Sequence, residues 1–415
     1  MYSKNWDMKS SYKLLGNFIT EVNSRDRALT IDKLLGVSIQ KKFIPSIANT
    51  IGTDMSTYKI VKRNQFAYGP VTSRNGDQIS IALMDGHDEA IVSQAYTSFE
   101  VKNINELIPE YLMMWFRRPE FDRFARFKSH GSAREIFSWE DMCNTLLPVP
   151  SIQIQKDVVK EYNVLQDRIA LHDKLVKSLE DFANTLYTQW FVEFNYPDEN
   201  GRPYKASGGE MEFDDFYQTE HPKEWEIKSL KEILNFNTSS LTSADKFKEL
   251  LYLDTGNITN NEIDEIQNFT LGKDVLPSRA KRKVQHNDII FSTVRPNLKH
   301  FGIIKNPPSN MLVSTGFAVL TPKNKNIFSE LIYLLITSDG NLEKLQAKAE
   351  MSVSTYPSIN VEDLLSLSLC FPRNGGLIQA SRIFSSIFDF SDCLKKEKKI
   401  LKTMSNLLLS RLVTI

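Results

Sequence analysis

Residues 152–194 read IQIQKDVVKEYNVLQDRIALHDKLVKSLEDFANTLYTQWFVEF and contain neither glycine nor proline. Their large apolar residues fall on a ladder of alternating three- and four-residue steps, whose two remaining places are Arg168 and His172. The apolar members of the ladder are Leu165, Leu175, Leu179, Phe182 and Leu186. Such a heptad pattern is typical of a helix that packs lengthwise on a partner helix. We therefore predict one long helix, about 60 Å in length at roughly 1.5 Å per residue.

The chain also repeats itself. Segments 61–68, 91–93 and 138–141 match 284–291, 312–314 and 360–363 in the same order, at offsets of 221 to 223 residues. The ladder recurs near the end of the chain, with Leu179 matching Leu401. Its members there are Ile387, Phe390, Leu394, Leu401, Met404 and Leu408. We infer two copies of a unit in which a mixed globular domain precedes a long helix, and we expect the two helices to pair antiparallel within the chain.

The predicted layout is a domain at 1–150, a central helix at 151–195, a linker at 196–224, a second domain at 225–372 and a distal helix at 373–415. Alternating residues 78–83 and the apolar run 90–101 predict strands in the first domain. Residues 108–127 predict a helix that is interrupted or restarted at Pro119. The linker is rich in polar and turn-forming residues. The predicted fold class is α+β: two mixed α/β domains in pseudo-repeat, separated by two long antiparallel helices that form an intramolecular coiled coil.

Composition narrows the functional classes. The 415 residues are 41% apolar, and 51 basic residues balance 51 acidic ones, which argues against a protein that holds nucleic acid by bulk charge. No run of about 18 apolar residues occurs, and the N-terminal residues do not resemble a signal peptide, so we expect a cytoplasmic protein without a membrane segment. Cys143, Cys370 and Cys393 have no metal-binding spacing and are expected to be reduced.

Motifs of catalysis are missing from the sequence. It contains no G-x-G-x-x-G, Walker A, G-x-S-x-G or H-E-x-x-H pattern, and the six histidines are scattered, so we predict no catalytic and no metal-binding residue. The tetrapeptide 306–309, NPPS, resembles the NPP-aromatic motif of amino-methyltransferases, but serine replaces the aromatic residue. A stand-alone DNA methyltransferase or a fused restriction enzyme stays open as one alternative. A coiled-coil protein scaffold that does not bind DNA is another.

Basic clusters are the candidate contacts to double-stranded DNA, because arginine pairs with phosphate and guanine edges and asparagine pairs with adenine edges. Two loops in register, around 72–76 and 293–300, both carry arginine and asparagine. A basic helix at 117–128 and a basic segment at 279–283 add further cations. On that helix, Phe121, Phe124 and Phe127 are expected on the core side. The candidate DNA-binding residues are Arg74, Asn75, Arg117, Arg118, Arg123, Arg126, Lys128, Arg134, Arg279, Lys281, Arg282, Lys283, Arg295, Asn297 and Lys299.

Nearly the whole chain resembles the specificity (S) subunits of type I restriction-modification systems, in which two target-recognition domains alternate with two helical regions. Residues 185–191 (TLYTQWF), 201–205 (GRPYK), 208–211 (GGEM) and 221–226 (HPKEWE) look like that family's run into its second domain. Residues 147–151 (LPVPS) with Gln155, and 370–372 (CFP), look like its "PLPP…EQ" starts of the helices. The second copy departs from this pattern, with 373–376 (RNGG) and Gln379 alone.

The resemblance implies a non-catalytic subunit that recognises a bipartite, asymmetric DNA site. Each domain would read one half-site, and the helix pair would set the gap between them, on the order of one helical turn or roughly 10 base pairs. Two methyltransferase (M) subunits would carry S-adenosylmethionine and flip the target adenine. Two restriction (R) subunits would hydrolyse ATP with Mg²⁺. No cofactor is expected in this chain.

Overall fold

The computed structural model describes residues 12–47, 52–73, 75–130, 134–324, 329–352, 357–373 and 376–412. Their contacts divide the chain into unit 1, Met1–Asp173 with Lys396–Ile415, and unit 2, Lys174–Lys395. Each unit therefore holds one globular domain, named domain 1 or domain 2 below, and one half of each long helix. No helix within the described ranges combines the length and the apolar character needed to cross a bilayer.

The described part of domain 1 contains short strands and three helices, and the long helix α4 follows the domain along the chain. The strands are β1 (Tyr12–Leu14), β2 (Ile19–Val22), β3 (Leu34–Val37), β4 (Phe43–Pro45), β5 (Lys59–Lys62), β6 (Phe66–Tyr68), β7 (Ile81–Leu83), β8 (Glu89–Val92), β9 (Thr97–Val101) and β10 (Leu146–Pro148). The helices are α1 (Pro109–Phe116), α2 (Pro119–Lys128), α3 (Trp139–Cys143) and the long α4 (Ile152–Tyr187). The break between α1 and α2 confirms the predicted restart at Pro119.

Two four-stranded sheets share the core of domain 1. Their strand orders are β2-β9-β6-β7 and β4-β3-β8-β5, and β3 runs parallel to β8. Side chains alternate across the first sheet: Phe66 and Tyr68 pack against the helices, while Ala67 packs against the second sheet. The predicted strand 90–101 is wrong in one respect, because a turn closed by the Tyr96 amide on the Ser93 carbonyl separates β8 from β9.

Domain 2 and its connector contain the remaining elements. The strands are β11 (Met211–Asp214), β12 (Thr219–Pro222), β13 (Trp225–Ser229), β14 (Leu234–Phe236), β15 (Glu249–Leu253), β16 (Ile258–Thr259), β17 (Glu262–Ile263), β18 (Gln267–Thr270), β19 (Ala280–Lys283), β20 (Asp288–Ser292), β21 (Phe301–Ile304), β22 (Met311–Ser314), β23 (Phe317–Pro322) and β24 (Ser368–Pro372). The helices are α5 (Leu230–Ile233), α6 (Ser329–Thr337), α7 (Asp339–Met351), α8 (Val361–Leu365) and the long α9 (Gly376–Arg411).

The strand orders of domain 2 repeat those of domain 1. Its sheets are β14-β23-β20-β21 and β18-β15-β22-β19, with β15 parallel to β22, and β13 pairs with β24 as β1 pairs with β10. The matching orders confirm the internal repeat and the α+β class. One difference is the small hairpin of β16 and β17, which is inserted between β15 and β18. The connector, predicted as a polar linker, is folded: Tyr196 packs on Trp190 and Trp225 and donates to the Gly376 carbonyl at 2.9 Å.

The long helices pair antiparallel within each unit, as predicted. In unit 1, Gln166 bonds Ser405 at 2.9 Å and Asp173 pairs with Lys398 at 2.8 Å. In unit 2, Glu180 pairs with Lys395 at 3.1 Å, and Trp190, further along the chain, packs on Phe384 of α9. As the residue numbers along α4 rise, those of the contacting residues on α9 fall, which shows that the two helices run antiparallel.

The predicted packing residues are only partly correct. Leu394 and Leu401 are buried, and five others, Leu165, Leu179, Leu186, Ile387 and Leu408, are partly buried. The remaining four are exposed: Leu175, Phe182, Phe390 and Met404. In α4 the buried positions are instead displaced by one residue, to Val176 and Ala183. A straight helix of 3.6 residues per turn drifts away from a 3.5-residue ladder, and smaller side chains occupy the positions where the helices meet.

Polar residues also occupy the interface between α4 and α9, which is called the seam below. Their presence makes the seam hard to recognise in the sequence. His172 and Lys398 are buried between the helix segments of unit 1. Arg168, a place in the predicted ladder, lies at the edge of the seam and pairs with Glu397, which is also 3.6 Å from His172. A ladder drawn through the largest apolar residues therefore traces the neighbouring stripe.

Candidate nucleic-acid interface

Helix α2 forms where its sequence favours a helix. Pro119 occupies the first turn together with Glu120 and Asp122, and Arg126 and Lys128 occupy the last turn, which suits the helix dipole. Phe121 is buried and Phe124 is partly buried against the core. Phe127 was expected on the same side, but it is 78% exposed. Six residues advance a helix by about 600°, which turns Phe127 away from the direction of Phe121.

Arg117 and Arg118, two of the predicted DNA contacts, stabilise the protein instead of facing solvent freely. Arg118 is 2% exposed, its guanidinium lies 4.0 Å from the Trp115 ring, and it pairs with Glu120 at 3.4 Å. Burial lowers its pKa, and the carboxylate of Glu120 opposes that shift. Arg117 packs over the ring of Tyr162 of α4 at 5.5 Å. Arg118 is therefore inaccessible to a phosphate, which corrects the prediction for that residue.

The other cations of this region reach the surface. Arg123 is exposed and pairs with Glu120 at 3.3 Å, whereas Arg126 is partly buried and pairs with Glu135. Lys128 is partly exposed and Arg134 is exposed. Surface ion pairs of this kind are worth little, about 0–1 kcal/mol, so an arginine can exchange its carboxylate for a phosphate at small cost.

The loop after β6 lies against the segment that follows α2. Val71 and His130 both form isolated bridges with Ile136, and the Thr72 amide donates to the Glu135 carbonyl at 3.0 Å. The structure thereby joins two regions that the sequence offered separately. Asn75 and Arg134, one from each region, line the same cleft. Arg74 lies outside the described residues.

The equivalent loop in domain 2 follows β20 and makes the equivalent contacts. Val294 forms a bridge with Ser358, and the Arg295 amide donates to the Pro357 carbonyl at 2.9 Å. The Asn297 amide donates to Oε1 of Gln346 in α7 at 3.1 Å. The predicted register of the two loops is confirmed, because both follow the same strand of the repeat and bridge to the segment that precedes α3 or α8.

Two residues of the domain 2 loop have left-handed backbone conformations. Arg295 has φ +49° and Lys299 has φ +57°. Each costs roughly 1–2 kcal/mol in a residue other than glycine, and such strain concentrates at functional sites. The side chains of Arg295, Asn297 and Lys299 are all exposed. The turn, which is held by the hydrogen bonds described above, therefore carries two cations and an amide at the protein surface.

The basic segment of β19 alternates between solvent and interior. Arg279, which precedes the strand, and Lys281 are exposed, and the Arg279 carbonyl accepts from the Thr315 amide at 2.9 Å. Arg282 turns inward to the side chain of Asn237 and the carbonyl of Phe317. Lys283 lies 2.5 Å from Asp245, and this hydrogen bond, together with bonds from Thr242, lowers the pKa of Asp245 to about 2. Arg282 and Lys283 are thus engaged in contacts within the domain.

Sequence reasoning missed the residues that complete the cleft around Asn75. Val37 and Ile39 at the end of β3, and Tyr96 from the turn between β8 and β9, lie beside it. The match of 91–93 to 312–314 marks the strand before this turn, but it does not say which loop the turn faces. Across the described residues, no three histidine, cysteine or acidic side chains come together as metal ligands.

Comparisons with known proteins agree with this arrangement. Residues 222–406 match the family described as "Type I restriction modification DNA specificity domain". This segment of the chain therefore carries a domain of that family. It is 31% identical over 151 residues to the type I restriction enzyme HindI specificity subunit of Haemophilus influenzae, covering 36% of this chain and 32% of that protein.

Longer and more distant matches extend beyond that segment. The MjaIX specificity subunit of Methanocaldococcus jannaschii is 21% identical over 315 residues, which cover 74% of this chain and 68% of the relative. The crystal structure of a type I S subunit from M. genitalium has a TM-score of 0.59 at 14% identity, and the match covers 99% of this chain and 98% of that one. At this identity the likeness establishes the fold, including both copies of the repeat. The chain spans about a third of the Haemophilus relative and two thirds of the MjaIX relative.

Proposed function

We propose that this chain is a non-catalytic DNA-recognition subunit of the type I specificity kind, acting in the cytoplasm, that directs adenine methylation and restriction by partner subunits. One observation carries the proposal: two domains with the same strand order present the same bridged loop, but with different side chains. Such a pair suits a bipartite, asymmetric DNA site, because each domain can read its own half-site.

Exposed cations next to these loops support contact with the DNA backbone. They comprise Arg123 and Arg134, with the partly exposed Lys128, in domain 1, and Arg279, Lys281, Arg295 and Lys299 in domain 2. Phosphate contacts position a protein on a duplex, and contacts to base edges supply the sequence specificity. The neutral net charge is compatible with this role, because the local surface steers the DNA.

The long helices are proposed to set the spacing between the half-sites. Helix α4 has 36 residues and therefore rises about 54 Å along its axis. Hydrogen bonds and ion pairs within the seam, such as Gln166 with Ser405, fix the register of the pairing, since a slip by one residue would separate them. A rigid pair of this kind holds its register and can serve as a ruler.

Apolar residues on the outer face of the helices are proposed to receive helices of two methyltransferase subunits. In unit 1 the exposed residues are Val164, Leu171, Ile400, Met404 and Leu407. In unit 2 they are Leu175, Phe182, Ile383 and Phe390. Their helical spacing suits packing by further helices. The partners would supply S-adenosylmethionine, and two restriction subunits would supply ATP hydrolysis with Mg²⁺.

Duplex binding by the full chain, assembled with its methyltransferase partner, tests this proposal. We expect retention of DNA that falls linearly on a logarithmic salt scale, together with a preference for one sequence. A complex that forms but shows no salt-sensitive retention of duplex DNA would favour a protein scaffold. Crosslinking of labelled S-adenosylmethionine to the purified chain alone would favour a methyltransferase.

A further inference from the structure

Domain 1 contains a cleft of about 420 Å³ where the ends of β3 and β6 meet the turn between β8 and β9. Val37, Ile39 and Tyr96 form an apolar wall, and the Tyr96 hydroxyl accepts a hydrogen bond from the Val37 amide at 3.3 Å. Gly69 lies beside them, where an added Cβ would be 2.6 Å from Oγ of Ser80 and 3.6 Å from the Tyr96 ring. Glycine at this position therefore preserves the space.

Asn75 supplies the polar side of the cleft. Its Nδ2 donates to the Val71 carbonyl at 3.3 Å, which orients the amide group. An asparagine amide has two N–H groups and one oxygen, so the second N–H and Oδ1 can face a ligand. That donor and acceptor pair matches N7 and the N6 amino group of adenine at its major-groove edge.

Ile39 supplies the apolar side at the mouth of the cleft, where it is 44% exposed. An exposed isoleucine in a loop beside an oriented asparagine suits the C5 methyl group of thymine, which lies on the same major-groove edge as the adenine atoms. Arg134 at the rim is exposed and can contact a phosphate.

The second copy of the repeat shows which of these features belong to the framework. Strand register places Asp254 and Thr255 of domain 2 where domain 1 has Gly36 and Val37. Register also aligns Tyr96 with Phe317, which is fully buried. The amide hydrogen bonds of the loops are the same in both domains, but the side chains change: Val37 of the cleft corresponds to Thr255 and Tyr96 to Phe317. Lining that varies on a constant framework is what two readers of different half-sites require.

We propose that this cleft reads an A·T base pair through the major groove, with Asn75 on the adenine edge and Ile39 against the thymine methyl group. The inference rests on the proposed function and names two residues that set the specificity of domain 1 at one base pair.

The test uses the full chain assembled with its methyltransferase partner and a duplex that carries the mapped methylation site. Each thymine of the site is replaced in turn by deoxyuridine, which lacks only the C5 methyl group. In the half-site read by domain 1, we expect one replacement to weaken binding about fourfold, the effect of one buried methyl group. I39A should bind the unmodified duplex about fourfold more weakly and should no longer respond to that replacement.

Asn75→Ala is expected to reduce the preference for A·T at the same base pair by at least about fivefold. Asn105→Ala is the matched control, because Asn105 is exposed in the turn before α1 and does not line the cleft. The proposal is overturned if no thymine of that half-site responds to deoxyuridine, or if I39A keeps the full response. The deoxyuridine series uses the unaltered protein, so a variant that fails to fold leaves it decisive.

Failure of this inference is distinguishable from failure of the proposed function. The half-site of domain 1 is the one that stays constant when residues 225–372 are exchanged for another recognition domain. If that exchange works and the thymine methyl groups have no effect, only the cleft assignment is wrong. If the complex shows no sequence preference at all, the proposed function itself is wrong.

Discussion

The ammonium of Lys305 lies 2.5 Å from a carboxylate oxygen of Glu330 and 3.3 Å from a carboxylate oxygen of Asp389, whose side chain is largely exposed. Glu330 is completely buried, and its second oxygen has no hydrogen-bond partner among the described residues. Burial lowers the pKa of Lys305, but the two carboxylates outweigh that effect and raise it above its usual value. These three residues link the segment that follows β21 to α6 and α9, and so hold domain 2 against its part of the long helix.

Replacing Lys305 with methionine should destabilise the protein by about 3–5 kcal/mol, because a buried carboxylate would lose its partner. The measurement is urea unfolding of the full chain. Replacing both residues, K305M with E330L, should restore most of that loss, since two apolar side chains need no counter-charge. A double variant that is as unstable as the single one would contradict this account of the pair.

Substitutions of Arg118 and Arg134 should have different effects, the first on stability and the second on DNA binding. Arg118→Ala should lower the free energy of unfolding by about 1–3 kcal/mol, because Trp115 and Glu120 lose their contact. Arg134→Ala should leave stability within about 0.5 kcal/mol and reduce the slope of log affinity against log salt by about one. Thermal melts and binding titrations at several salt concentrations check both expectations. A salt slope that changes in Arg118→Ala, with folding intact, would contradict the buried placement.

Phe182 and Ala183 are adjacent in α4 but face different surroundings. Ala183→Leu should destabilise the protein by about 1–3 kcal/mol, because Ala183 is 1% exposed in the helix seam and a larger side chain overpacks it. Phe182→Ser should leave the fold intact and weaken assembly with the methyltransferase subunit. Unfolding curves and co-purification distinguish the two effects. Normal assembly of Phe182→Ser would show that this stripe is not a partner surface.

Lengthening both helices tests the ruler. One inserted heptad in α4 and one in α9, placed opposite each other, add about 10.5 Å while keeping the packing stripe in phase. At about 3.4 Å per base pair, the gap between the half-sites should grow by roughly three base pairs. Sequencing of methylated sites measures the gap directly. An unchanged gap in an active complex would exclude the helices as the ruler.

The repeat and the long helices were predictable because they depend on backbone pattern. The start of the first helix at Ile152, the break before Pro119 and the register of the two recognition loops all follow from spacing and offset. These features depend only on local helix propensity and on a periodic apolar face, and both can be read from the sequence alone.

Other features depend on neighbours that spacing does not identify. The seam passes through Val176 and Ala183 instead of Leu175 and Phe182, since small residues admit a close helix and polar residues share the interface. Arg118 resembles a phosphate ligand in the sequence, but Trp115 and Glu120 enclose it. The cleft beside Asn75 needs Ile39 and Tyr96, which three-dimensional folding brings from two other loops.

The central claim is that each domain independently reads one half of a bipartite DNA site. Its most direct test exchanges residues 225–372 for the corresponding domain of another specificity subunit and sequences the methylated adenines in a host that expresses the partner subunits. The account predicts that one half of the methylated site changes while the other half and the spacing stay the same. A site that changes in both halves, or in neither, would contradict it.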